Sequence, residues 1–169
     1  MDKLRPLCVS LLICAGAARA ATPELVVGMG PGPAGSSAVF AGRFGLSFND
    51  FITPDLRGMV MFGEGVNAWA ADAGLSLHTP GSLQFAVSAA AGVGGISQPD
   101  PFRSQDTGLG MHVSTGVGLR YLAAPGQWLG LEWNLARWQG QQALRQGGGV
   151  YHPSLNGPML LVSAGWAIH

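Results

Sequence analysis

The chain has 169 residues, with nine lysines and arginines against nine acids, and its 11% of charged residues stands beside 47% hydrophobic ones. A soluble domain carries roughly 25% charged residues, and no basic stripe is present that could follow a nucleic acid. No apolar run approaches the roughly 20 residues that a membrane helix needs, so a chain this apolar without a spanning helix points to a membrane barrel.

The first element is a leader. Met1-Asp2-Lys3-Leu4-Arg5 precedes an apolar run from Leu7 to Ala18, which closes on Ala18-Arg19-Ala20. Positive charge, a short apolar core and an A-x-A end predict a secretory signal peptide over residues 1–20, leaving 21–169 as a single barrel domain. Ile13 before Cys14 does not fit a lipoprotein site, which needs a small residue there. Cys8 and Cys14 are the only cysteines, so the exported part has no disulfide, thiolate metal site or cysteine nucleophile. Without Asp2, Lys3, Arg5 and Arg19, six arginines face eight acids, a net charge of −2 with neutral histidines. No cofactor and no metal are expected.

Eight extended stretches follow in chain order. Leu25, Val27 and Met29 alternate with Glu24, Val26 and Gly28. Next, Ala38, Phe40, Gly42, Phe44, Leu46 and Phe48 alternate with Ser37, Val39, Ala41, Arg43, Gly45 and Ser47. The third stretch, Leu56 to Glu64, is the least regular. Trp69 to Leu77 is opposed by Ala70 to His78, and Leu83 to Val93 by Gln84 to Gly94. In "GMHVSTGVGLRYL" (110–122), Met111, Val113, Thr115, Val117, Leu119 and Tyr121 oppose Gly110, His112, Ser114, Gly116, Gly118 and Arg120. Leu129, Leu131, Trp133 and Leu135 oppose Gly130, Glu132, Asn134 and Ala136. Leu160 to Ile168 is opposed by Met159, Leu161, Ser163 and Gly165. This is the period-two pattern of strands of about 10 residues. Short turns at Asn49–Pro54, 78–82 and 123–127 contrast with long loops at 96–107 and 139–156, which is the habit of outer-membrane barrels. The short-turn end is then periplasmic.

The polar face decides between a membrane barrel and a soluble, lipocalin-like one. It is mostly Gly, Ala and Ser, where a water-facing exterior would carry long charged chains. Small residues suit the side-chain-filled interior of an eight-stranded barrel. Arg43, Arg57, Asp72, Arg120 and Glu132 are expected to pair across that lumen, in one polar network with His112 and Ser114. Phe48, Trp69, Tyr121 and Trp166 fall on the apolar face near strand ends, where interfacial girdles form. Trp128 and Trp138 count to the lumen side unless a bulge or strand end turns them outward. His112 and Ser114 share a face, and Glu132 on the next strand could orient the imidazole, so these three are the candidates for a catalytic set.

From Trp128 onward, "WLGLEWNLARW" (128–138) and "YHPSLNGPMLLVSAGW" (151–166) resemble the end of the lipid A deacylase family. The resemblance implies an eight-stranded outer-membrane barrel that removes an acyl chain from lipopolysaccharide. Where that family has an Asn-Pro-Gly loop, this chain has His152-Pro153-Ser154 and then Leu155-Asn156-Gly157. The family's catalytic His-x-Ser-Asn, which faces the membrane, is replaced by Arg137-Trp138-Gln139-Gly140. Arginine is no general base near neutral pH, and glutamine is no acyl nucleophile. Arg137 is instead the candidate for contact with lipid phosphates.

The expectation is therefore an all-β, eight-stranded antiparallel up-and-down barrel in the outer membrane. Its expected role is structural or interactive, exercised through its external loops, without catalysis. The competing readings are a lipid A acyl-ester hydrolase, a narrow pore and a soluble barrel. Outer-membrane lipids, lipopolysaccharide among them, are the expected partners. No nucleic acid is expected, and no protein partner is identifiable.

Overall fold

The structure, a computed structural model, describes residues 20–32, 35–49, 51–63, 66–99, 104–106, 109–140, 144–146, 149–151 and 154–168. Residues 1–19, which hold both cysteines and all but the last residue of the expected signal peptide, lie outside them, and Ala20 is the first residue of β1. Eight long strands follow the alternating stretches: β1 (Ala20–Gly32), β2 (Gly35–Ser47), β3 (Ile52–Gly63), β4 (Val66–His78), β5 (Leu83–Pro99), β7 (Gly110–Ala124), β8 (Gln127–Gly140) and β11 (Ser154–Trp166). Three short pieces, β6 (Ser104–Asp106), β9 (Leu144–Gln146) and β10 (Gly149–Tyr151), lie in the two long connections.

Every pairing is antiparallel, in the order β4-β3-β2-β1-β11-β8-β7-β5, and β5 pairs back onto β4. The sheet is thus a closed eight-stranded barrel without a free edge, so every strand has a partner on each side. The β2–β3 turn is fixed by Asn49, whose Oδ1 accepts hydrogen bonds from the backbone N–H of Phe51 at 2.9 Å and of Ile52 at 2.8 Å. The β7–β8 turn needs Gly126 at φ 72°, a conformation that a side chain disfavours. Ala21 and Ile168 exchange backbone bonds of 2.9 and 2.8 Å, which places the first and last strands' outer ends beside the short turns.

Three strands run further than the sequence pattern suggests. β3 starts at Ile52, inside the expected turn. β5 continues through residues 96–99 of the expected loop, and β6 folds back onto this extension, Ser97 against Asp106. β11 starts at Ser154, ahead of Met159. The β1–β11 ladder is the short one. It runs from Glu24↔Gly165 to Met29↔Leu160 and stops, whereas β1–β2 is paired over the whole strand. Continued in register, that ladder would set Pro31 against Pro158, and proline has no N–H to give.

Burial alternates along the long strands (in β5 up to Gly94), as in β8, where Trp128, Asn134, Ala136 and Trp138 are buried while Leu129, Leu131, Trp133 and Leu135 are about half exposed. The inner face holds the core. The outer face presents Leu25, Phe40, Leu56, Val87, Val117 and Val162, a surface suited to hydrocarbon rather than water. Trp69, Tyr121 and Trp166 stand on this outer face, while Phe48 lies just past the end of β2. No bulge falls at Trp128 or Trp138. The irregularity is in β7, between Leu122 and Ala124, so both indoles point inward.

Candidate functional site: the barrel lumen

The lumen has two unlike halves. Towards the short turns, inward positions of five strands bring charges together. Arg43 (β2) reaches across to Glu132 (β8), its Nη1 donating to Oε2 at 2.6 Å, and Ser88 (β5) donates to the other carboxylate oxygen at 2.6 Å. Arg43 also lies 3.8 Å from Glu24 (β1), and Arg120 (β7) donates to the same Glu24 oxygen at 3.5 Å. Asp55 and Arg57 stand two apart on β3 and therefore share the inner face. Arg57 Nε donates to Asp55 Oδ1 and Nη2 to Oδ2 at 3.1 Å, while Ser76 (β4) closes the ring by donating to Asp55 Oδ2 at 3.0 Å. Gly74 makes room for this fork, since a Cβ there would lie 2.7 Å from Asp55 Oδ1 and 2.8 Å from Arg57 Nε. Such forked pairs satisfy geometry and charge together.

Towards the long connections the lumen turns apolar. Val39, Met61, Ile96, Trp138 and Met159 are at most 2% exposed and pack into one cluster. Within it one polar pair is sealed: His112 Nδ1 lies 2.7 Å from Asp72 Oδ2, with side chains 0% and 1% exposed. The Trp138 ring lies against the imidazole, centroids 4.4 Å apart, and its Nε1 donates to the backbone oxygen of Trp69 at 3.3 Å.

The expected lumen residues are thus all inward, but in three separate groups. Arg43, Arg120 and Glu132 join Glu24 and Ser88, Arg57 joins Asp55 and Ser76, and Asp72 joins His112. The candidate set His112, Ser114 and Glu132 is not assembled. The acid on His112 is Asp72, while Glu132 is occupied by Arg43 and Ser88. Ser114 is buried on the inner wall, in register with Ala90 and Ala136. Glu24, Asp55, Ser76 and Ser88 join these groups without having been expected there from the sequence. For Asp55 the signal was available: two residues before Arg57, it must share its face. Among the described residues no group of three or more potential ligands could hold a metal.

Arg137 points outward, in register with Val113 and Asn156. Among the described side chains of the eight long strands it is the single charged one on the outer face. Gln139 is exposed on the same side, opposite Ser154.

These features define a class, the small eight-stranded barrel of outer-membrane type with a filled lumen. Solved structures share the fold. The N-terminal barrel domain of Pseudomonas aeruginosa OprF superposes with a TM-score of 0.63 at 13% identity, over 87% of this chain and 97% of that one. Neisserial surface protein A gives 0.59 at 10% identity, over 87% and 95%. The outer membrane enzyme PagL gives 0.50 at 16% identity, over 88% and 99%. No family model matches the chain, and no curated protein matches it.

Proposed function

We propose that this chain is an outer-membrane barrel that acts as a structural or interaction protein through its long external loops, and that it is not a hydrolase. The observation that carries this is the lumen itself. Among the described residues each of its acids meets an arginine or a histidine, its upper half is packed with apolar side chains, and Ser114 faces inward, away from any acyl chain of the surrounding lipid. On the lipid-facing side, where the deacylase family places its His and Ser, this chain presents Arg137 and Gln139. Arg137 serves there as a contact for lipid phosphates, those of lipopolysaccharide included, by charge-assisted hydrogen bonds.

The competing hydrolase reading draws on the resemblance of the last two strands to the deacylases. Mass spectrometry of lipid A from cells with and without the gene separates the two. Identical lipid A is expected, and an acyl chain missing only when the gene is present overturns the proposal. Arg137→Ala should lower the lipopolysaccharide that co-purifies with the folded barrel, and unchanged retention removes Arg137 from the account.

A further inference from the structure

The end of the barrel carrying the short turns is not sealed flush. A vestibule of about 510 Å³ opens there, with Thr22, Asn49, His78, Gln84, Arg120 and Trp128 among its lining residues. Its polar groups are unevenly matched. His78 is 8% exposed and Trp128 5%, yet both ring nitrogens of His78 and the indole N–H of Trp128 have no hydrogen-bond partner among the described residues. Buried donors and acceptors are ordinarily satisfied. Arg120 lies over the Trp128 ring, 4.6 Å from its centroid, and has a single long bond, 3.5 Å, to Glu24. Five guanidinium N–H groups are thus little used. Among the described residues no acid lines the vestibule, and Arg120 is its one charged group.

We propose that this vestibule is a binding site for an oxyanion, a carboxylate or a phosphate, carried by a small polar molecule. The anion accepts hydrogen bonds from Arg120 and from Trp128 Nε1–H, and the imidazole of His78 supplies one further donor. The neutral rim of Thr22, Asn49 and Gln84 faces the rest of the ligand. Among the described residues nothing else in the lumen competes for the role. Arg43 and Arg57 are committed to Glu132 and Asp55, and His112 lies deep in the apolar half.

The test uses the folded protein in detergent, so it does not depend on how the barrel sits in a membrane or on whether it hydrolyses lipid. The indole N–H resonance of Trp128, assigned by its loss in Trp128→Phe, is followed while acetate, inorganic phosphate or uncharged acetamide is added. A saturable shift with acetate or phosphate, and none with acetamide, is expected. The arm that binds more tightly tells a carboxylate ligand from a phosphate one. Arg120→Gln should weaken binding about tenfold or more, as befits a lost charge-assisted bond. Arg120→Lys, which keeps the charge but loses the fork, should bind with intermediate strength. Unheated gel mobility reports that each variant has folded. No saturation with either anion, an equal response to acetamide, or full binding by a folded Arg120→Gln or Arg120→Lys variant overturns the site.

Discussion

Glu132 holds the lower lumen together from β8, accepting from Arg43 on one oxygen and from Ser88 on the other. Its removal leaves Arg43 with only the 3.8 Å approach of Glu24. Breaking one side of a buried pair costs about 3–5 kcal/mol, and a single neutral hydrogen bond about 1 kcal/mol. Glu132→Ala should therefore lower the urea midpoint of the barrel in lipid vesicles far more than Ser88→Ala does. The double variant Arg43→Met with Glu132→Leu should be milder than Glu132→Ala alone, because no charge is stranded. Equal effects of Glu132→Ala and Ser88→Ala would remove Glu132 from the centre of the network. Ser114→Ala should cost at most about 1 kcal/mol and leave the lipid A profile unaltered. Alternation in the sequence was enough to put Arg43, Asp72, His112, Arg120 and Glu132 on one face. It could not say who meets whom. Asp72 and His112 are 40 residues apart on strands separated by β5, and their meeting depends on the stagger of the whole ladder.

At the level of strands, faces were legible and ends were not. A strand alternates visibly only while one side meets lipid and the other the lumen. β5 beyond Gly94 and β11 before Met159 lie past that stretch, and Gly, Pro and Asn there read as loop. The short β1–β11 seam has the same origin, because Pro31 and Pro158 end a ladder that their neighbours could have extended. Its strands still touch, since a Cβ on Gly157 would lie 2.6 Å from Cβ of Pro31. Gly157→Ala should spread the seam and destabilise the barrel by about 1–3 kcal/mol. At Gly58, on the outer face of β3, an added methyl would meet nothing within 4 Å, and Gly58→Ala should add about 0.5–1 kcal/mol by stiffening the strand. Denaturant midpoints of the two variants should move in opposite directions. Val117 sits at the middle of β7, paired with Val87 and Trp133. Val117→Arg should cost about 2–4 kcal/mol if lipid surrounds it there, and a variant that assembles as well as the parent would assign the outer face to water.

For the molecule as a whole, closure of the ladder predicts that unheated protein runs faster on a gel than boiled protein and that it fractionates with outer membranes. Single cysteines at Gln146 and Gln127 should differ on intact cells. The first, the last residue of β9 in a long connection, should react with an impermeant reagent. The second, at the tight turn, should not. Reaction only at Gln127 would invert the orientation.

The two inward indoles, Trp128 at one mouth and Trp138 near the other, carry a consequence for current. An ion entering from the short-turn end meets Arg120 stacked on Trp128, then the paired charges of the belt, and finally a plug of methionine, valine and isoleucine in which it would lose its hydration at a cost of several kcal/mol or more. Planar bilayers holding the purified barrel should keep the electrical resistance of bare lipid at either polarity, and Trp128→Ala should leave them insulating because the apolar plug stands behind it. Stepwise conductance from the parent protein would show that the plug yields to voltage.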